Sequence, residues 1–120
     1  MIRLLFIVLL FIPIDVYADN WSHEDTMIQI LYSAYHIGDW NQTLQITESE
    51  DYEETNKILG RNPSDDQVNL YFASTLLAHY YIAQRLSQPY RAYWQSFWIS
   101  VEHDYLRRNT RHGFKVNIKF

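Results

Sequence analysis

Four side chains in this sequence have the donor atoms for metal chemistry. His36, His79, His103 and Glu102 offer imidazole nitrogen and carboxylate oxygen, the set that zinc and copper favour. Their spacing argues against a shared ion. If the chain turns back near Ser87, His79 falls opposite about residue 96. Glu102 then lies roughly 9 Å further along at 1.5 Å per residue. The structural alternative for His79, a buried and hydrogen-bonded histidine, is therefore the expectation, with no metal and no cofactor.

A second group is Asp39, Gln42 and Thr43, and a third is Glu54, Thr55 and Asn56. With His79 and Glu102 they make a candidate polar cluster, in which Asp39 is the natural base or cation ligand. The structural alternative has Asp39 bonding a neighbouring helix and Glu54 to Asn56 capping local backbone. The sequence holds no glycine-rich phosphate loop, no HExxH and no nucleophile elbow, so catalytic residues stay unassigned. Without cysteine there is no thiolate zinc site, no cysteine nucleophile and no disulfide. Asn20-Trp21-Ser22 and Asn41-Gln42-Thr43 match the glycosylation sequon, a pattern that matters only in a eukaryotic secretory pathway.

Three helices must position these residues. Ser22 with Asp25 reads as a capping box that opens a helix at about His23. Met27, Ile28, Leu31, Tyr35 and Ile37 give it an apolar stripe, and it continues through Gly38 to about Ile46. An acidic, irregular stretch from Thr47 to Pro63 follows. Ser64 with Gln67 is a second capping box, opening a helix over about residues 65–86. Between Val68 and Ala83 its one ionisable side chain near neutral pH is His79. Ser87-Gln88-Pro89 starts a third helix, from Pro89 to about Arg108. Tyr90, Tyr93, Trp94, Phe97, Trp98, Val101 and Tyr105 form its aromatic stripe. So short a connection predicts an antiparallel hairpin of the second and third helices. From Phe114 to Phe120 the residues alternate as in a strand. A lone strand cannot make a barrel, so an extended tail along a helix or at a membrane surface is expected.

The N-terminus points to export. Arg3, the apolar run from Leu4, Pro13 and Val16-Tyr17-Ala18 read as a signal peptide over residues 1–18, with 19–120 one helical domain. The run is too short for a comfortable span of about 20 residues, and an uncleaved anchor is the alternative. Loss of Arg3 and Asp15 together would leave the formal charge at −4, a balance unsuited to general nucleic-acid binding. Tyr, Phe and Trp make up 17% of the chain. Residues of this kind suit cores, interfaces and the bilayer headgroup layer. A mean hydropathy of −0.32 excludes a strongly apolar multi-span protein.

Across these segments the chain resembles a family of small, uncharacterised bacterial and phage-borne exported proteins with predicted membrane segments. The resemblance rests on Asp39-Trp40-x-Gln42-Thr43 and on Tyr52-x-Glu54-Thr55-Asn56-x-x-Leu59-Gly60-x-x-Pro63-Ser64. It continues at Val68-x-x-Tyr71-Phe72, His79, Arg91-x-x-Trp94-Gln95, Glu102 and Asn109. This sequence departs at Lys57, where the pattern has proline, and in a more polar third helix. The resemblance implies no activity, substrate or cofactor; it marks the polar motif and His79 as the first residues to test.

The expectation is an all-α, three-helix protein exported to the periplasm or the inner membrane of a bacterium. It is expected to contact a membrane surface or bilayer, and to act without catalysis. The alternatives are a periplasmic binder of an apolar ligand and a small enzyme using Asp39, Glu54, His79 or Glu102.

Overall fold

A computed structural model describes residues 20–48, 58–60 and 62–117. The expected signal peptide, Glu54, Thr55 and Asn56, and the last three positions of the tail lie outside these residues. Among the described residues there are three helices and no strand: α1 (His23–Thr47), α2 (Asp65–Arg85) and α3 (Tyr90–Arg111).

Both capping boxes form. The Asp25 N–H donates to Ser22 Oγ (3.1 Å) and the Ser22 N–H to Asp25 Oδ2 (2.9 Å). Ser64 and Gln67 repeat the exchange at α2, at 3.2 and 2.9 Å. Each box satisfies two amide donors that the first turn would otherwise leave bare, which is worth about 1 kcal/mol. Pro89 stands just before α3 rather than within it, and α3 runs three residues past the expected Arg108. It stops where Gly113 takes φ 91°, a conformation that glycine adopts without a Cβ penalty. There the Phe114 N–H reaches Asn109 O (3.0 Å) and the Gly113 N–H reaches Thr110 O (3.0 Å), closing a Schellman motif.

Side-chain pairs fix how the helices run. Asp25 meets Arg91, His36 meets Glu102 and Gln42 meets Thr110, so α1 and α3 climb in the same direction. His36 meets Phe72, Trp40 meets Asn69 and Thr47 meets Asp65, so α2 descends against α1. Past α3 the tail as far as residue 117 lies along α1, without strand pairing among the described residues. Gln42 donates to Phe114 O (2.7 Å), Gln45 to Lys115 O (2.7 Å), and Asn41 exchanges two bonds with the Asn117 backbone (2.8 Å each).

The faces are inverted relative to a water-soluble bundle. Asp25, His36, Asp39, Gln42, Thr43, His79, Arg91, Gln95 and Glu102 are buried, beside Tyr32, Val68, Phe72 and Ala83. Met27, Leu31 and Ile37, the stripe expected to face a core, lie on the outside of α1. The outer faces of α2 and α3 follow suit, with Leu70 and Leu77 each 70% exposed and Phe97 59% exposed. Apolar periodicity therefore marks the exterior here, while the interior is fixed by hydrogen bonds between polar side chains. Among the described residues no helix is long and apolar enough to cross a membrane.

Candidate functional site

The inward polar residues recur at spacings of three, four and seven. In α1 the buried ones are Asp25, Tyr32, His36, Asp39 and Thr43, and in α3 Arg91, Gln95 and Glu102, with half-buried Asn109 on the same face. Such spacing puts each set on one helix face, and packing the two faces together builds a polar column.

His36 is the hub of its middle layer. Nδ1 lies 3.0 Å from Glu102 Oε1 and 3.3 Å from the Tyr32 hydroxyl. Nε2 lies 2.9 Å from the Phe72 carbonyl and 3.0 Å from Thr75 Oγ1. A carbonyl only accepts, so Nε2 carries a hydrogen and donates. One turn on, the Asp39 carboxyl accepts from Asn109 Nδ2 (3.3 Å) and Thr43 Oγ1 (3.4 Å). Burial pushes Glu102 up to about 7, against the opposing effect of the Asp39 bond. Burial lowers His36, opposed by the Phe72 carbonyl and the Asp39 charge. It raises Tyr32, reinforced by Glu102, Tyr71 and Asp39, so that phenol stays neutral. The layer therefore holds two acids and a histidine at low net charge.

His79 differs from its expectation in one respect. It is buried, yet neither ring nitrogen has a hydrogen-bond partner among the described residues. Its ring is stacked on Tyr32 with centroids 3.5 Å apart, and Trp94 stacks at 5.7 Å. Burial, reinforced by His36, pushes it down to about 3, so it is a neutral aromatic plate at physiological pH. Glu102 and His79 are held by different partners, and among the described residues no three His, Asp or Glu side chains are set to hold a metal.

The lower layer is an ion pair. Arg91 donates from Nη1 to Asp25 Oδ2 (2.7 Å) and from Nε to Ala83 O (2.8 Å), while Gln88 donates to Asp25 Oδ1 (2.9 Å). Burial raises Asp25, but bonds from Ser22 and Arg91 and the Arg91 charge outweigh it and leave the carboxyl below its ordinary value. Trp21 covers the guanidinium, its ring centre 5.0 Å away.

Of the residues singled out from the sequence, Asp39, Thr43 and Glu102 come together. Gln42 faces the tail and Thr110 instead, and His79 lies one layer away on Tyr32. His36, Tyr32 and Asn109 belong to the cluster although its expected membership omits them. The signal that finds them is the inward polar repeat itself. Outside this column, Leu31, Ala34, Tyr35, Gly38, Leu106 and Val116 line an open apolar groove of about 280 Å³ between α1, α3 and the tail.

Compared with protein-family models, with curated proteins and with solved structures, the chain has no match.

Proposed function

We propose that the protein is an exported, non-enzymatic, membrane-associated helical protein of a bacterial envelope, of the small phage-borne kind it resembles. On this reading residues 1–18 are a signal peptide, and α2 and α3 are an antiparallel hairpin, a pairing supported by the Arg91–Ala83 and Trp94–His79 bonds.

The observation that carries the reading is the inversion of the faces. Water penalises exposed Leu70, Leu77 and Phe97 and rewards exposed Asp39, Glu102 and Arg91, yet the bundle does the reverse with all of them. A polar interior with an apolar exterior is the arrangement that a bilayer favours. The belt is also free of charge. No exposed residue of α1 from Thr26 to Thr47, of α2 from Gln67 to Gln84, or of α3 from Tyr90 to Ser100 is ionisable near neutral pH. On α3 that belt is about 16 Å tall at 1.5 Å per residue, shorter than a hydrocarbon core of about 30 Å. The belt thus suits insertion into one leaflet, with the charged ends of the helices in the headgroup layer and Tyr80, Tyr81, Tyr90 and Tyr93 as interfacial anchors. The enzyme alternative loses ground to burial: Asp39 and Glu102 are only 7% and 6% exposed.

Expression in a Gram-negative bacterium, with fractionation and intact mass, tests the reading. The expected result is loss of residues 1–18 and a mature protein that pellets with membranes even in high salt, because apolar contact is not screened. Recovery in the soluble fraction would contradict it. The groove at Gly38 favours a second reading, a carrier of one small apolar molecule, for which a ligand extracted from the purified protein is the sign.

A further inference from the structure

The middle layer of the column needs a proton that its side chains do not hold in their ordinary states. His36 Nε2 is a donor, because it faces the Phe72 carbonyl at 2.9 Å. Thr75 Oγ1 gives its own hydrogen to Tyr71 O (2.8 Å) and offers the same N–H a lone pair. A neutral His36 then has a bare Nδ1, and that atom lies 3.0 Å from Glu102 Oε1. Two lone-pair atoms hold that distance only with a proton between them. Glu102 Oε2 is buried without a donor, and a buried carboxylate oxygen left bare favours the neutral acid. The geometry thus requires one proton beyond the one on Nε2, and with it the His36–Glu102 pair is neutral.

We propose that His36 and Glu102 form a buried proton-binding site that clasps α3 to α1, and that loss of the proton they share loosens this middle layer. The titratable groups facing it are Tyr32 and Asp39 from α1, and His79 and Tyr71 from α2. Tyr32 and His79 stay neutral over the working range, so neither supplies compensating charge. When the shared proton leaves, Nδ1 and Oε1 face each other as acceptors in a low-dielectric interior. Separation of α3 from α1 relieves that contact. The layers above and below do not titrate with it: Gln42 holds Thr110 through an amide, and Asp25 stays ionised against Arg91. The opening is therefore confined to the turns around His36 and Glu102, between two fixed clasps. This inference rests on the interior alone and stands whether or not the exterior meets lipid.

Infrared difference spectroscopy of the full-length protein tests it, because a protonated carboxyl absorbs apart from a carboxylate. The wild type is expected to show a buried protonated-carboxyl band at about pH 6 that fades through about pH 7 to 8, and Glu102→Gln to lack that titrating band. In urea titrations the folded-to-unfolded ratio of wild type relative to Glu102→Gln should fall by up to about tenfold per pH unit between about pH 5 and 7. Should Glu102→Gln fail to fold, His36→Gln serves: its amide can donate to Glu102, which ionises more easily, and the band should fade at lower pH than in the wild type. Absence of a protonated-carboxyl band at about pH 6 in the wild type, or a band unchanged in both variants, would overturn the proposal.

Discussion

Arg91 donates to Asp25 across 2.7 Å, joining the third helix to the start of the first, with both side chains almost wholly removed from solvent. A guanidinium is desolvated only when its donors are used, and here the carboxylate, the Ala83 carbonyl and the Trp21 face use them. The same bundle leaves Leu77 and Phe97 outside. Polar bonds inside and apolar surface outside are one design, because each helix carries the two faces on opposite sides.

Removing one partner of that pair leaves the other charge buried and unpaired. Arg91→Met is expected to cost about 3 to 5 kcal/mol in urea unfolding, and Asp25→Asn a similar amount. The double substitution should cost clearly less than the sum, since it strands no charge. Additive losses would show that the pair does not act as a unit.

His79 sets the acid side of the stability profile. Its folded value, about 3, lies below the ordinary 6.5, so the unfolded chain binds its proton first. The stability that His79 contributes should be full above about pH 6.5 and fall as pH drops towards 3, by at most about 1.4 kcal/mol per pH unit. His79→Phe keeps an aromatic plate on Tyr32 and should flatten that decline, measured as urea midpoints from about pH 4 to 7. An unchanged slope in the variant would place the acid sensitivity elsewhere.

Gly38 lets the first and third helices and the tail approach. A Cβ there would stand 3.1 Å from Leu106 Cδ2 and 3.4 Å from Val116 Cγ2. Alanine asks only a flexible leucine tip to yield and gains helix propensity of about 1 kcal/mol, so Gly38→Ala should be near neutral. Gly38→Leu fills the groove and should destabilise by about 1 to 3 kcal/mol. Equal stability of the two variants by thermal melting would show that α3 and the tail are not tightly held at this point.

The helices were legible because their ends are local chemistry: Ser22 with Asp25, and Ser64 with Gln67, need only three residues to announce a start. The inward face was not. Met27, Leu31 and Ile37 at helical spacing read as core by the rule for water-soluble helices, and the outside of this bundle breaks that rule. Asp25, His36, Asp39 and Thr43 carry the true inward periodicity, but polar residues at such spacing normally read as a solvated face. His36, Glu102 and Asp39 were each legible as candidates from their chemistry, whereas the pairing of His36 with Glu102 spans 66 residues and no local pattern specifies it. The missing partners of His79 follow from tertiary packing between two aromatic rings, which the sequence does not display.

Co-sedimentation with lipid vesicles tests the central claim most directly. The purified protein is expected to pellet with vesicles of bacterial phospholipid. The pair of exterior substitutions Leu77→Glu and Phe97→Glu should leave folding intact within about 0.5 kcal/mol each while abolishing most of the binding. A wild-type protein that stays in the supernatant as a folded monomer would contradict a membrane-facing exterior.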